Sequence, residues 1–269
     1  MSELDSSICI TSVRASAEQL LCGSFPNYID SPNPMIGVLA EKKLDIGKVD
    51  RVVLYNPDAV ALWLYQKYTE MFVKAAICSD LALPMRSVMP SVTPVCFASM
   101  YTGVMPCEHG IQKYEKPVLK TETLFDTVLA KGKRAAIVST SGDSISKIFL
   151  ERDMDYFIYD TVAQVNVKAM ELLEKDEYDL IVIYNGNYDG TMHKCGTESP
   201  EALQALRENI AFYAEMVEKI RACMKHRRVF YGFCPDHGCH EIDAECGSHG
   251  LDMSEDMNVI HFYGIKAAE

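Results

Sequence analysis

Residues 51–58 read RVVLYNPD, an apolar run that stops at a proline followed by an aspartate. A run of this length that ends in turn residues is typical of a buried β-strand. Residues 59–76 follow with apolar side chains at helical spacing, so the sequence predicts a strand, a turn and a helix in succession. Asp58 would then lie at the carboxyl end of a strand, where open α/β sheets bind their ligands.

The same alternation of strand-like and helix-like segments continues along the chain. The clearest helix is predicted over residues 198–226, with Pro200 near its start. Buried strands separated by helices are typical of a mostly parallel sheet with helices on both faces, and we therefore predict an α/β fold of this kind. The further strands are predicted at residues 134–139, 155–159, 178–185, 228–234 and 258–263.

The chain length favours one large domain, because 269 residues can bury a sizeable core but leave little room for a second domain. We expect the main domain over residues 47–269 and an N-terminal segment, residues 1–46, that packs on its core. The net charge of -12 argues against a nucleic-acid polymer or an anionic membrane surface as partner, since both repel an acidic protein.

The composition leads us to expect a cytoplasmic protein. No apolar run approaches the roughly 20 residues needed to span a bilayer, and the N-terminus MSELDSSICI lacks a basic region followed by an apolar stretch. The ten cysteines lack the dense spacing of a disulfide scaffold. An alternative use of the cysteines is a structural zinc site formed by Cys234, Cys239 and His240 with Cys246 and His249. Structural zinc sites usually contain two closely spaced cysteine pairs, and only one irregular half of that pattern is present here.

Thr93 stands directly before Pro94, and this pair is typical of the N-cap and first position of a helix, predicted here to run towards Tyr101. A phosphoryl group near the Thr93 hydroxyl would be stabilised by the positive end of the helix dipole. The alternative is that Thr93 only caps the helix. An adjacent metal ion would be needed to lower the pKa of its hydroxyl and make it a nucleophile.

Acid and imidazole side chains recur after the predicted strands. An isolated pair of this kind is as readily part of a solvated surface loop as of a metal site. Their recurrence after several strands, together with a hydroxyl at a helix start, instead favours a two-metal site that cleaves phosphoesters. With Thr93, the residues concerned are Asp58, Asp189, His193, Asp236, His237 and His249.

The whole pattern resembles the alkaline phosphatase superfamily, and most of all its type I phosphodiesterase/nucleotide pyrophosphatase branch. The resemblance extends over residues 52–264 and implies the three-layer α/β fold of that superfamily, here with a minimal cap. It rests on the order and spacing of Thr93, Ser99, Thr102-Gly103, Pro106 and His109-Gly110-Ile111, then Asp189-x3-His193-x2-Gly196, Asp236-His237-Gly238 and Gly247-x-His249-Gly250.

The resemblance implies two divalent metal ions, usually zinc and sometimes manganese. One ion would be held by Asp189, His193 and His249. The other would be held by Asp58, Asp236 and His237 together with the Thr93 hydroxyl. Nitrogen and carboxylate ligands suit zinc on chemical grounds, independently of the resemblance.

The resemblance also implies a reaction. Thr93 would attack phosphorus in line with the leaving oxygen, and water would then release a phosphothreonine-like intermediate. Two metal ions about 4 Å apart can neutralise both apical oxygens of such a displacement. The expected substrates are small phosphodiesters or nucleotide-like molecules.

The sequence departs from the branch at the substrate side. Relatives commonly place an asparagine three residues after the isoleucine of His-Gly-Ile, where it contacts a phosphate oxygen, and Tyr114 occupies that place here. Lys113 is a candidate cationic donor to the substrate, although a solvated surface lysine is its alternative. Little sequence is available for the inserted lid that confers specificity in larger relatives.

Two further readings stay open. A carbon–phosphorus hydrolase similar to phosphonoacetate hydrolase shares the threonine and the metal pattern. A metal-binding relative without catalysis would act as a regulatory protein, and a missing ligand or nucleophile would identify it, yet all seven residues are present.

Other polar residues are assigned structural roles. His261 lies in an apolar strand and is expected to be a core histidine. His240 and Glu241 adjoin the candidate ligands, where they either support them or belong to an exposed loop. Residues 139–144, STSGDS, lack the spacing and lysine of a phosphate-binding Walker motif and are expected to form a strand-to-helix turn.

Overall fold

A computed structural model describes residues 8–45, 47–243 and 245–269. Nine strands are formed within these residues. They are β1 (Arg51–Pro57), β2 (Leu81–Arg86), β3 (Ala135–Thr140), β4 (Asp155–Tyr159), β5 (Leu180–Asn185), β6 (Val229–Phe233), β7 (His240–Asp243), β8 (Cys246–Ser248) and β9 (Asn258–Lys266).

The central sheet has seven strands in the order β2-β9-β6-β1-β5-β3-β4, and β7 and β8 form a separate antiparallel pair. Strand β1 pairs in parallel with β5 and β6, and β3 pairs in parallel with β5 and β4. Strand β9 is antiparallel to both β6 and β2, so β2 runs in the same direction as β6. The predicted α/β fold with a mostly parallel sheet is therefore confirmed.

Helices cover both faces of this sheet. None of the helices in the described part of the chain is both long and apolar enough to cross a membrane. The α-helices of the described residues are α1 (Ser12–Cys22), α2 (Pro34–Lys43), α3 (Leu62–Lys67), α4 (Val73–Cys78), α5 (Thr93–Thr102), α6 (Pro106–His109), α7 (Leu124–Ala130), α8 (Ile145–Ile148), α9 (Val162–Lys175), α10 (Asn187–Cys195), α11 (Pro200–Cys223) and α12 (Ser254–Met257).

The alternation of side chains along β1 separates the two helical layers. Val52 and Leu54 belong to a buried cluster shared with α1, α2, α5 and α7. Val53 and Tyr55 point to the other face and belong to a cluster shared with α9 and α11. Because successive strand residues face opposite sides, a strand buried on both faces is apolar throughout, which explains the run at 51–55.

The N-terminal helices complete one of these layers. Val13 of α1 and Ile36 of α2 lie in the same buried cluster as the β1 side chains. Arg14 is fully buried and donates hydrogen bonds to Glu18 at 2.7 Å and to the carbonyl oxygen of Thr102 at 2.8 Å, tying α1 to the end of α5. Residues 1–7 and 46 of the predicted N-terminal segment lie outside the described residues, and its boundary stays a prediction.

Two details of the predicted elements are wrong. Residues 59–76 do not form one helix: α3 ends at Lys67, a 3-10 turn follows over Thr69–Phe72, and α4 begins at Val73. The chain enters α3 late because Ala59 adopts a left-handed φ of 64°, which does not continue a helix. Strand β2 was not predicted, since it is a half-exposed edge strand interrupted by Pro84 and lacks an apolar run.

His261 is a core histidine, as the sequence indicated. Its side chain is buried in β9, with Nε2 2.7 Å from the carbonyl oxygen of Pro235 and Nδ1 2.7 Å from the Tyr263 hydroxyl. A carbonyl oxygen only accepts, so Nε2 carries the proton and Nδ1 accepts from the tyrosine. Burial lowers the pKa of His261 from 6.5 to about 4.

We predict that His261 contributes to acid unfolding. The unfolded chain binds a proton near pH 6.5 while the folded protein does not, so about 3 kcal/mol of stability is lost as the pH falls from 6.5 to about 4. His261→Gln retains a donor for Pro235 but cannot titrate. Chemical unfolding at several pH values should show a shallower loss of stability in the variant, and equal pH dependence of the two proteins would contradict this.

Candidate active site

The structure brings the seven predicted site residues together at one edge of the sheet. Six of the seven central strands run in parallel and end at this edge, because only β9 is reversed. The segments that follow β1, β2, β5 and β6 carry most of the site, and the β7–β8 hairpin returns the last residue. The seven are Asp58, Thr93, Asp189, His193, Asp236, His237 and His249.

Thr93 lies one position further into its helix than predicted. The N-cap of α5 is Val92, and Thr93 is the first helical residue with Pro94 next. The Thr93 hydroxyl therefore does not cap the helix. It lies 3.3 Å from Asp58 Oδ2 and 3.3 Å from His237 Nε2, with the side chain buried at the positive end of the helix dipole.

Two groups of side chains can each hold a metal ion, because the ligand atoms inside each group all lie within 4.8 Å of one another. The first group is Asp189, His193 and His249, and it matches the expected set. The second is Asp58, Asp189 and His237, so Asp189 stands between the two groups. Asp236 adjoins the second group, because its Oδ2 lies 3.4 Å from the Nε2 of His237.

All three candidate histidine ligands are oriented by backbone carbonyl groups. Nδ1 of His193 lies 2.9 Å from the oxygen of Gly247, Nδ1 of His249 lies 2.8 Å from the oxygen of Ser91, and Nδ1 of His237 lies 2.9 Å from the oxygen of its neighbour, residue 238. Carbonyl oxygens only accept, so each Nδ1 carries the proton. Each Nε2 then presents a lone pair to the cluster, as in histidines that bind metal ions.

The carboxylates at the centre of the cluster have buried oxygens without hydrogen-bond partners among the described residues. These atoms are Oδ1 of Asp58, Oδ1 of Asp189 and Oδ2 of Asp236. Leaving a charged oxygen buried and unpaired is costly, and coordination of a cation removes that cost. Together with three free imidazole nitrogens, this donor set fits divalent metal ions such as zinc.

The pKa values of three of these side chains, in the protein without metal ions, agree with cation binding at this site. Burial, with repulsion from Asp189, raises the pKa of Asp58 to about 7. Burial, with repulsion from Asp58, raises the pKa of Asp236 well above its ordinary value. Burial lowers the pKa of His237 to about 3. Without added positive charge, the site therefore opposes the charged forms of the Asp58 and Asp236 carboxylates, and it keeps His237 neutral and able to bind a cation.

Tyr184 is a site residue that the sequence analysis missed. Its hydroxyl donates to Asp58 Oδ2 at 2.5 Å, and in the sheet register its neighbour is Asn56 of β1, two residues before Asp58. Alternation along the predicted strand at 178–185 gives the face of Tyr184 but not its register against β1, so the sequence alone does not place it beside Asp58. The hydroxyl occupies Oδ2, which leaves Oδ1 as the free oxygen of that carboxylate.

His240 and Glu241 support the hairpin and do not belong to the cluster. His240 Nδ1 lies 2.8 Å from Oδ1 of the buried Asp256. Glu241 accepts from the backbone N–H of Thr197 at 2.7 Å and from its hydroxyl, which joins the hairpin to the loop after α10. Among the described residues, neither group that can hold an ion contains a cysteine, so the alternative structural zinc site is not formed.

A cavity of about 370 Å³ opens next to the cluster and is lined by Asp58, Thr93 and Asp189. Tyr114 lines it as well, and its contact with the substrate stays a prediction. Lys113 does not line the cavity and pairs with Glu115 at 3.3 Å. Lys116 lines the cavity instead, a position that the sequence analysis did not single out.

A family model for type I phosphodiesterase/nucleotide pyrophosphatase matches residues 56–258 of this chain, within the segment 52–264 that carries the motifs. A search of curated proteins found no match. The match extends from the end of β1 to the start of β9 and includes all seven residues of the cluster.

Solved structures share the fold. Mouse ectonucleotide pyrophosphatase/phosphodiesterase 5 superposes with a TM-score of 0.63 at 12% identity, covering 80% of this chain and 88% of that chain. An inactive threonine-to-alanine variant of the mouse protein in complex with AMP gives 0.61 at 12% identity, with 80% and 88% covered. Phosphonoacetate hydrolase from Sinorhizobium meliloti 1021, in complex with phosphonoformate, gives 0.55 at 16% identity, with 73% and 59% covered.

At these identities the structural likeness concerns the fold alone, whereas the family model extends over most of the chain. The three-layer fold, the order of motifs and the family match agree with one another. The chain belongs to the type I phosphodiesterase/nucleotide pyrophosphatase family and is a hydrolase that acts on phosphoester bonds.

Proposed function

We propose that this chain is a two-metal phosphodiesterase in which Thr93 is the nucleophile. The observation that carries the proposal is the position of the Thr93 hydroxyl, 3.3 Å from both Asp58 Oδ2 and His237 Nε2 at the start of α5. The mouse variant that lacks a threonine hydroxyl is inactive, which agrees with the role assigned to Thr93.

The residues that would hold the ions follow from the cluster. One set is Asp189, His193 and His249, and the other is formed by Asp58, Asp236 and His237 beside Thr93, with Asp189 at the junction. The imidazole and carboxylate donors favour zinc, with manganese as the alternative. When bound, the two ions would stabilise negative charge on the phosphoryl oxygens and lower the pKa of an adjacent hydroxyl.

The chain's own residues position the nucleophile. Asp58 Oδ2 is an acceptor within reach of the Thr93 proton, and Tyr184 fixes that carboxylate by a second hydrogen bond. In the first step a bond forms between Thr93 Oγ1 and phosphorus, the bond to the leaving alcohol breaks, and that alcohol takes up a proton. In the second step water attacks the phosphothreonine, releases the monoester and restores the hydroxyl.

The substrates we propose are small phosphodiesters or nucleotide-like molecules. The cavity of about 370 Å³ has room for a phosphoryl group and a small alcohol. The net charge of -12 disfavours a nucleic-acid polymer. A carbon–phosphorus hydrolase is the second reading, because phosphonoacetate hydrolase shares the fold. Product analysis separates the two, since a diesterase leaves a phosphomonoester and a phosphonate hydrolase releases inorganic phosphate.

We predict that divalent metal ions stabilise the folded protein through Asp189. Zinc or manganese at about 100 times its dissociation constant should add about 2.7 kcal/mol of stability, and Asp189→Asn should lose most of this gain because both groups share that side chain. Thermal unfolding with and without metal measures the effect. The matched control is Asp153→Asn, an exposed aspartate outside both groups, and equal stabilisation of the two variants would contradict the prediction.

We predict that Thr93→Ala abolishes turnover while metal binding persists. The alanine variant should lose on the order of 10³-fold or more in kcat, because no nucleophile remains. Thr93→Ser, which keeps a hydroxyl, should retain measurable activity. Release of p-nitrophenolate from bis(p-nitrophenyl) phosphate measures turnover, and metal content is measured on the same samples.

Thr69→Ala is the control for this experiment, since Thr69 is exposed and its hydroxyl bonds only to helix carbonyl groups of Tyr65 and Gln66. It should behave like the wild type. Multiple-turnover activity of Thr93→Ala close to that of Thr69→Ala would remove Thr93 as nucleophile. Absence of turnover in the wild type as well would direct the assay to phosphonates and then to a non-catalytic role.

A further inference from the structure

The cavity beside the candidate metal cluster extends across the sheet edge to the segments that follow β3 and β4. Its far wall is formed by hydroxyl, carboxylate and amide side chains and by one aromatic ring. Lys116 is the only cationic side chain among the described residues that line it. The far-wall residues that bear on its charge are Tyr114, Lys116, Thr140, Asp143 and Asp160.

Lys116 is held in place but is not neutralised. Its Nζ donates to the carbonyl oxygen of Gly142 at 2.9 Å and lies 5.2 Å from the centre of the Tyr114 ring. Lys116 forms no ion pair with a carboxylate in the described part of the chain, in contrast to Lys113, which pairs with Glu115. An ammonium group has three donors, so two remain for a ligand. One phosphodiester anion would satisfy this charge.

Asp160 supplies the opposite charge on the same wall. It follows β4 directly, its side chain is exposed, and it makes no hydrogen bond or ion pair with the residues that the structure describes. Asp143, by contrast, accepts hydrogen bonds from Ser139, Thr140 and Ser146, so its oxygens are used within its own loop. A second anionic group in the cavity would therefore face the uncompensated carboxylate of Asp160.

We infer that this site selects phosphodiesters whose retained alcohol carries no further negative charge, with Lys116 binding the scissile phosphodiester and Asp160 repelling a second phosphate. This inference rests on the proposed function and narrows its substrate class. The basis is a charge count: beside the two ions of the proposed function, the far wall adds one cation, Lys116, for the scissile phosphodiester, and among the described residues it adds no cation for a second anion but one free carboxylate, Asp160. Selectivity of this kind arises from unfavourable contacts with the wrong substrate as much as from favourable ones.

Two substrates that differ by one charged group test this inference. Thymidine 5′-(p-nitrophenyl phosphate) carries one negative charge, and the same compound with a 3′-phosphate carries a second anionic group. Both release p-nitrophenolate, so kcat/KM is measured in the same way for each. The wild type should prefer the first compound by ~10-fold or more, and the preference should shrink as the salt concentration rises.

The variants separate charge from shape. Asp160→Asn keeps the size of the side chain and should reduce the preference several-fold, because loss of the carboxylate improves turnover of the 3′-phosphate compound more than turnover of the compound with one charge. Its matched control is Asp153→Asn, which makes the same change of net charge in a different cavity and should leave the preference intact. Lys116→Gln should lower kcat/KM for both compounds by ~10-fold or more, mainly through KM, whereas Lys113→Gln should not.

A binding measurement without turnover keeps the inference testable on its own. Calorimetry on metal-loaded Thr93→Ala, with and without Asp160→Asn, compares thymidine 5′-monophosphate with thymidine 3′,5′-bisphosphate. Weaker binding of the bisphosphate that is relieved by Asp160→Asn supports the inference. Equal or tighter binding of the bisphosphate, or a preference that Asp160→Asn leaves unchanged, overturns it. Failure of the wild type to hydrolyse either diester would overturn the proposed function, and the binding comparison would still decide the role of Asp160.

Discussion

Asp58, Asp189 and Asp236 bring three carboxylates into one buried cluster at the edge of the sheet, and their mutual repulsion is the constraint around which the structure is arranged. Burial raises the pKa of Asp58 and of Asp236, and each of the three has an oxygen without a hydrogen-bond partner in the described chain. Such an arrangement disfavours folding on its own account. It persists because the surrounding layers are rigid and because positive charge can be supplied by metal ions.

The central strands β6, β1 and β5 supply that rigidity. They are hydrogen-bonded neighbours buried on both faces. Asp58 and Asp236 lie in the connections that follow β1 and β6, and Asp189 lies in the first turn of α10, which follows β5. The histidines are fixed independently of the sheet, since their Nδ1 atoms bond to carbonyl groups of three different segments. The ligand directions are therefore set before any ion binds, and this reduces the reorganisation that binding requires.

Much of this could be predicted from the sequence because buried parallel strands are continuous apolar runs and because parallel strands end at one edge. Strands β1 and β5 and the residues after them, such as Asp58 and Asp189, were predicted on these grounds. Strand β2 was missed because an edge strand lacks that signal. The break after Ala59 was missed because a left-handed alanine is imposed by tertiary contacts and leaves no mark in composition.

The substrate side was predicted less well than the metal side, and the reason is physical. A ligand cluster needs particular residue types at strand ends, whereas a cavity wall depends on where loops lie in space. Tyr114, predicted on the substrate side by its spacing from the His-Gly-Ile motif, lines the cavity, but sequence distance does not tell that Lys116 lines it and Lys113 does not. Charge selection can thus change through Lys116, in the segment between α6 and α7, and through Asp160, after β4, while the cluster stays the same, because neither segment carries a residue of the cluster.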